Sequence, residues 1–119
     1  MKKILIIEDA PMNRDLLVQL LEDDYELMQA VDGDQGLELA AGRRPDLILL
    51  DISLPGIDGW EVLARLRADA RLRPIPVIAV TAHAMTGDEE KALQRGCTDY
   101  ITKPVDEDEL WAKVARALG

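Results

Sequence analysis

The amino-acid sequence predicts an α/β protein with a doubly wound, five-stranded parallel sheet, and three observations lead to that prediction. Three short runs of Ile, Leu and Val are continuous rather than alternating, which is typical of strands buried on both faces. Segments with helical periodicity separate the strand segments, so that strand and helix alternate five times. The chain has 119 residues, enough for one core and too few for two. We therefore expect one domain over residues 1–119.

The strand segments fall into two groups. Residues 4–7, 47–50 and 77–80 form the continuous apolar runs and are expected at the centre of the sheet. Residues 26–31 and 99–101 mix polar and apolar side chains, which suits strands at the two edges.

The first three helices occupy the gaps between these strands. The first follows Pro11, a favoured first-turn residue, and carries a leucine stripe: Leu16, Leu17, Leu20 and Leu21. A short second helix is predicted over 36–41, ending near Gly42. The third follows Gly59 and carries a stripe of Val62, Leu63 and Leu66.

Capping residues mark the last two helices. Thr86 with Glu89 reads as a capping box for the fourth helix, which is expected to end at Gly96. Asp106 with Glu109 caps the fifth, whose apolar stripe is Leu110, Val114 and Leu118.

Charge and cysteine content exclude several classes of function. Lys plus Arg is 14 and Asp plus Glu is 23, a net charge of −9, which disfavours unaided binding to nucleic acid or to an anionic membrane surface. A single cysteine excludes an internal disulfide and a cysteine zinc cluster. The apolar run after Met1 stops at Glu8, too short for a signal-peptide core, and no run has the length of a membrane span. We expect a cytoplasmic protein.

Charged and hydroxyl side chains follow four of the strand segments. Glu8 and Asp9 come after the first, and Asp51 after the third. Thr81 comes after the fourth, and Lys103 follows the fifth. Ligands of open parallel sheets bind beyond the carboxyl ends of the strands, so these side chains are expected to line one cleft. Three carboxylates there would repel one another, and a divalent cation with oxygen ligands, Mg²⁺ or alternatively Mn²⁺, would stabilise them.

A carboxylate in such a cleft can act as a nucleophile towards phosphorus and form an acyl phosphate. Asp51 is the best candidate, because it directly follows a central strand, whereas Glu8 and Asp9 form a pair suited to holding a metal. Taken singly, these residues also have ordinary roles: Asp9 as a helix cap, Thr81 as a β-former, Lys103 as a solvated charge.

The motifs together resemble the receiver domain of two-component response regulators. The resemblance extends over essentially the whole chain, in order and with matching spacing. It rests on four segments: Ile6-Ile7-Glu8-Asp9, Leu49 to Gly59, Val80-Thr81-Ala82, and Asp99-Tyr100-Ile101-Thr102-Lys103-Pro104-Val105. It implies the flavodoxin-like strand order 2-1-3-4-5.

The resemblance assigns roles around the phosphoacceptor, which it places at Asp51. It implies that Asp9 binds Mg²⁺ directly, that Glu8 acts usually through water, and that the backbone carbonyl of Ser53 is a further ligand. Gly59 matches the glycine of the loop after the phosphoacceptor.

Further roles follow from the same resemblance. Thr81 matches the hydroxyl that turns towards the phosphoryl group, and Lys103 the lysine that pairs with it. Tyr100 matches the aromatic switch residue, and Pro104 the proline of a cis Lys-Pro bond. Ser53 and His83 occupy the positions that tune the lifetime of the phosphoryl group.

The resemblance also implies protein partners. A sensor histidine kinase or a histidine phosphotransfer protein would supply the phosphoryl group, docking near residues 10–17 and at Pro104 and Val105. The face formed by the fourth helix, the fifth strand and the fifth helix would change shape and control a downstream protein. The protein would be a monomer or a phosphorylation-linked dimer that binds neither nucleic acid nor membrane directly.

Other interpretations stay open at this point. The sequence looks like a stand-alone regulator, but a receiver cut from a larger regulator or hybrid kinase is an alternative. A phosphatase of the haloacid dehalogenase type would have an Asp where Ser53 stands, which disfavours a turnover enzyme. A nucleotide-binding domain would have a glycine-rich loop after the first strand, where Glu8 and Asp9 stand instead. A constitutive scaffold of the same fold is disfavoured by the intact Asp51, Thr81 and Lys103 set.

Overall fold

A computed structural model describes residues 1–54, 56–82 and 88–119 of the chain, and strands and helices alternate along it. The strands are β1 (Lys3–Ile7), β2 (Glu26–Ala30), β3 (Leu47–Asp51), β4 (Val77–Thr81) and β5 (Asp99–Thr102). The helices are α1 (Pro11–Leu21), α2 (Gly33–Arg43), α3 (Gly59–Ala68), α4 (Asp88–Gln94) and α5 (Glu107–Leu118).

All neighbouring strands of the sheet are parallel, in the order β2-β1-β3-β4-β5. This confirms the predicted fold class and strand order. The two mixed sequence runs, β2 and β5, lie at the edges of the sheet, as predicted. Parallel pairing brings the carboxyl ends of all five strands to one edge, where the site is expected.

Two apolar layers enclose the sheet, and they explain why the central strands are continuously apolar. Leu5 and Ile7 of β1 face the layer that contains residues of α2, α3 and α4. Ile4 and Ile6 face the opposite layer, which contains residues of α1 and α5. Every second residue of a strand points to the same face, so burial of both faces requires an unbroken apolar run. None of the helices in the described ranges has the length and apolar character needed to span a bilayer.

The predicted bounds of β2 and α2 were wrong by one to three residues. The N–H of Val31 donates to the side chain of Gln35 at 2.7 Å, so β2 ends at Ala30 instead of residue 31. Helix α2 begins at Gly33 rather than 36, because the carboxylate of Asp32 accepts a hydrogen bond from the Gln35 N–H and caps the helix there. It continues past Gly42 to Arg43.

Side-chain caps also set the beginnings of α3 and α5. Asp58 accepts a hydrogen bond from the Glu61 N–H at 2.9 Å, directly after the loop that follows β3. Asp106 caps α5, as predicted, by accepting from the Asp108 N–H. The predicted capping box of α4 depends on Thr86, which lies outside the described residues. Helix α4 ends at Gln94, two residues before the predicted Gly96.

Gly59 allows α3 to pack directly on the end of β3. Its N–H donates to the carbonyl oxygen of Ile52 at 3.1 Å. A Cβ atom at position 59 would lie 2.6 Å from the Asp51 carbonyl oxygen and closer still to the Ile52 Cα. The close approach of the two backbones therefore requires glycine, and it fixes the first turn of α3 beneath Asp51.

We predict that Gly59→Ala lowers the free energy of unfolding by about 1–3 kcal/mol, because neither backbone can yield to the added methyl group. The matched control is Gly42→Ala, whose new Cβ meets nothing within 4 Å. Since alanine is the better helix former, this control is expected to keep or raise the stability by up to about 1 kcal/mol. Urea unfolding monitored by circular dichroism measures both variants. Equal stability of the two would contradict the packing argument.

Candidate functional site

The carboxyl edge of the sheet gathers the predicted site residues from four strands. Glu8 follows β1, and Asp51 is the last residue of β3. Thr81 is the last residue of β4, and Lys103 directly follows β5. Glu8, Asp51 and Thr81 are buried, although each is polar or charged.

Glu8, Asp9 and Asp51 form a carboxylate cluster at this edge. Each offers an oxygen atom, and these atoms all lie within 4.8 Å of one another. Asp9 is exposed, while Glu8 and Asp51 are almost completely removed from water. A donor set made only of oxygen atoms fits a hard divalent cation such as Mg²⁺. The exposed position of Asp9 leaves one side of the cluster open to solvent.

Lys103 forms ion pairs with two carboxylates of the cluster. Its Nζ lies 2.7 Å from Glu8 Oε1 and 3.4 Å from Asp51 Oδ2. Burial lowers the pKa of Lys103, but the hydrogen bond to Glu8 and the charges of Asp51 and Glu8 outweigh this effect and raise it. Lys103 therefore stays protonated, and one ammonium group faces three carboxyl groups.

The burial and mutual repulsion of these carboxyl groups shift the pKa of Glu8 upwards. Burial and the neighbouring Asp51 raise the pKa of the Glu8 carboxyl to about 7, although Lys103 acts in the opposite direction. A carboxyl whose folded pKa exceeds its unfolded value destabilises the fold when it is ionised. For Glu8 this destabilisation is fully present above about pH 7, and it disappears as the pH falls towards the ordinary value of 4.5.

Backbone contacts hold Asp51 and its neighbouring strand ends in place. Asp51 Oδ1 accepts a hydrogen bond from the N–H of Ser53 at 2.9 Å, so both carboxylate oxygens of Asp51 have partners. The Ile52 N–H donates to the carbonyl of Val80 at 3.2 Å. The Lys103 N–H donates to the carbonyl of Thr81 at 2.7 Å. These contacts fix the three strand ends relative to one another.

Tyr100 lies on β5 and is buried on the α3–α4 side of the sheet. Its side chain is 6% exposed and belongs to the same apolar cluster as Ala92 and Cys97. Tyr100 is therefore within the protein while Asp51 is a free carboxylate.

Three further predicted positions are Pro104, Ser53 and His83. The Lys103–Pro104 peptide bond is cis. Ser53 is exposed and contacts Asp51 through its N–H, while the predicted role of its carbonyl oxygen stays a prediction. His83 lies outside the described residues.

Arg14 is a site residue that the sequence reasoning missed. Its guanidinium, on α1, donates to the backbone carbonyls of Glu8 at 3.0 Å and of Asp9 at 3.4 Å. The contact orients the backbone of the acidic pair without neutralising either carboxylate. One signal was present in the sequence, because Arg14 lies one helical turn after the start of α1 and thus close to the end of β1.

A groove of about 110 Å³ opens beside the cluster, between α1 and the segment after β5. Its apolar wall contains Leu16, Leu17 and Val105, and its polar end contains Glu8 and Lys103. The groove therefore connects the carboxylate cluster with the surface of α1.

Comparison with known proteins agrees with this architecture. The family model of the response regulator receiver domain matches residues 4–115. The polar-differentiation response regulator DivK of Brucella anthropi is 50% identical over 105 residues, which cover 87% of this chain and 85% of that protein. DivK of Brucella ovis is 49% identical over the same length.

Solved structures are similar over nearly the whole chain. The receiver domain of the sensor histidine kinase PA1611 from Pseudomonas aeruginosa, which has a magnesium ion coordinated in its active site cleft, is 37% identical with a TM-score of 0.91, covering 99% of this chain and 98% of that one. The chemotaxis protein CheY4 of Vibrio cholerae is 25% identical with a TM-score of 0.91, covering 98% of each chain. The chain therefore belongs to the family of response regulator receiver domains of two-component systems.

Proposed function

We propose that residues 1–119 act as one phosphoacceptor domain in which Asp51 receives a phosphoryl group from a phosphohistidine of a partner protein. The observation that carries the proposal is the position of Asp51, a buried carboxylate in contact with Lys103 and within 4.8 Å of two further carboxylates. This role requires the domain to accept one phosphoryl group and does not require repeated conversion of a substrate. The domain would therefore act as a switch rather than as a turnover enzyme.

The transfer itself exchanges one bond for another. A carboxylate oxygen of Asp51 attacks the phosphorus atom, the O–P bond forms, and the P–N bond to the imidazole breaks. The imidazole of the partner keeps the electron pair and takes up a proton from solvent. Such a reaction depends on positioning and on neutralising the phosphoryl oxygens.

The residues of the cleft divide these tasks. Glu8, Asp9, Asp51 and the backbone carbonyl of Ser53 would hold Mg²⁺, or alternatively Mn²⁺. When bound, the ion neutralises negative charge on the carboxylates and the phosphoryl group. Lys103, already protonated beside Asp51, would exchange its contact there for a phosphoryl oxygen.

Thr81 and Tyr100 would convert the modification into a change of surface. The hydroxyl of Thr81 would donate to a phosphoryl oxygen, and Tyr100 would occupy the space that this movement frees. Tyr100 is only 6% exposed before phosphorylation. Its side chain would therefore move between two buried positions rather than from solvent into the core. The face of α4, β5 and α5 would then bind a downstream protein or a second copy of the domain.

The phosphodonor would dock beside the groove between α1 and the segment after β5. Met12 is 86% exposed and Leu16 is 41% exposed, and both lie on α1. Pro104 is also exposed. An apolar helix of a histidine kinase or of a histidine phosphotransfer protein fits this surface and brings its phosphohistidine to Asp51.

Ser53 and His83 would tune the lifetime of the phosphoryl group by controlling the approach of water. Ser53 donates a hydrogen bond to Asp51 through its backbone N–H. A serine hydroxyl is too weak an acid to act as an efficient general acid or base near neutral pH, so rapid hydrolysis is disfavoured.

Acetyl phosphate with Mg²⁺ is expected to add one phosphoryl group to the wild-type protein, as measured by intact mass. Asp51→Asn and a sample with chelator should show no gain, because the nucleophile or the charge neutralisation is missing. Asp58→Asn is a matched control, since Asp58 is an exposed carboxylate that caps α3 and asparagine caps equally well. A mass gain in Asp51→Asn would place the acceptor elsewhere.

Asp51→Asn is expected to raise the free energy of unfolding without divalent ions by on the order of 1 kcal/mol, because one of the mutually repelling carboxylates is removed. Mg²⁺ should stabilise the wild type by up to about 2.7 kcal/mol at one hundred times its dissociation constant, and Asp51→Asn considerably less. Thermal unfolding with and without Mg²⁺ measures both effects. Equal Mg²⁺ stabilisation of the two proteins would argue against metal binding at the cluster.

A further inference from the structure

Trp60 on α3 faces two cations of the α4 region. The Nζ of Lys91 lies 4.9 Å from the centre of the Trp60 ring, and the Cζ of Arg95 lies 5.0 Å from it. Both distances are within the range of cation–π attraction. Lys91 and Arg95 are four residues apart and repel each other, so the ring stabilises a local excess of positive charge as well as joining the two helices.

The other side of Trp60 is fixed to the phosphoacceptor strand. Its neighbour Gly59 packs on the backbone of Asp51 and Ile52 and donates a hydrogen bond to the Ile52 carbonyl. The ring of Trp60 thus extends from the first turn of α3, which packs against the end of β3, to the surface of α4. A change in the relative position of α4 and the Asp51 loop has to alter the contact between the ring and the cations.

A second contact ties α3 to the turn after α4. The Nε of Arg67 donates to the carbonyl of Gly96 at 2.9 Å, and the same guanidinium donates to the carbonyls of Arg73 and Ile75. Helix α3 therefore contacts the α4 region at two points: Trp60 in the first turn of α3 and Arg67 in the last turn of α3. Arg67 makes three hydrogen bonds to backbone carbonyls that are partly buried or exposed, whereas the Trp60 contact lies between a half-buried ring and two exposed cations and is the weaker of the two.

We propose that Trp60, through Lys91 and Arg95, is a latch that holds α4 against α3 while Asp51 is a free carboxylate, and that phosphorylation of Asp51 loosens it. The inference rests on the proposed function, in which Thr81 moves towards the phosphoryl group. Thr81 ends β4, and α4 is the next helix along the chain, so a movement of Thr81 would pull on α4. The latch opposes this pull, and its strength sets how readily the phosphorylated conformation is reached.

Calorimetric titration with beryllofluoride, a phosphoryl mimic, in the presence of Mg²⁺ tests the latch. Both Trp60→Leu and the double variant Lys91→Gln with Arg95→Gln should bind the mimic about fivefold more tightly, because the free conformation loses its cation–π contacts. The matched control, Arg65→Gln with Arg71→Gln, removes two exposed positive charges elsewhere and should bind like the wild type. It separates loss of the latch from a general change in protein charge.

Fluorescence gives an independent readout. In a Trp111→Phe background Trp60 is the only tryptophan. Its emission should change when Mg²⁺ and beryllofluoride are added, because the ring loses the nearby cations. The same addition should leave the emission nearly unchanged when Lys91 and Arg95 are both glutamine.

The outcomes distinguish the latch from the function on which it rests. Unchanged affinity in both latch variants, with an unchanged Trp60 emission, would overturn the latch while phosphorylation by acetyl phosphate still supports the proposed function. Weaker binding in the latch variants would also overturn it, since the contact would then belong to the phosphorylated conformation. Absence of any phosphoryl transfer in the wild type would overturn the proposed function, and the latch with it.

Discussion

The repulsion among the carboxyl groups of Glu8, Asp9 and Asp51 is the constraint on which the rest of the structure depends. Burial next to Asp51 raises the pKa of Glu8 to about 7, so at neutral pH the fold carries a charge cluster that destabilises it. The apolar strands that precede these residues supply the compensating free energy, since the residues of β1 and β3 are buried almost throughout. Lys103 relieves only part of the repulsion. Because the carboxyl groups repel one another, any change of charge in the cluster has a strong effect on the stability of the site.

The order of the strands explains how this parallel sheet brings the charged residues of the cluster together. β1 and β3 are neighbours in space although α1, β2 and α2 separate them in the chain. Glu8 and Asp51 therefore meet at the end of adjacent strands, and Lys103 reaches both from the end of β5, with β4 between. The backbone contacts of Ile52 with Val80 and of Lys103 with Thr81 keep these ends in register. The topology therefore explains why charged residues that are far apart in the sequence form short contacts in the folded protein.

The sequence was sufficient to predict the features that repeat along the chain, and insufficient for those that arise between distant elements. Continuous apolar runs indicated the buried strands, and the residues after them indicated the site, because strand ends of a parallel sheet converge. The beginning of α2 was missed, since it depends on one hydrogen bond between Asp32 and Gln35. Arg14 was missed although its position one helical turn into α1 was a signal, because its hydrogen bonds depend on how α1 packs beside the end of β1. The contact of Trp60 with Lys91 and Arg95 could not be predicted, because it depends on how two separate helices pack.

Helix α3 connects the electrostatic site with the part of the surface that is expected to change. Its first turn packs beneath Asp51 at Gly59, where the two backbones are so close that a Cβ atom would not fit. Its side chains hold α4 through Trp60 and the following turn through Arg67. A helix that packs closely at the site and holds its neighbour by two contacts of unequal strength favours movement at the weaker one. Lys91 lies in the last turn of α4 and Arg95 directly after it, so the Trp60 contact and the Arg67 contact with Gly96 both act on this end of the helix. In the proposed switch, phosphorylation of Asp51 would release this end of α4 from Trp60, while the hydrogen bonds of Arg67 would limit how far it moves.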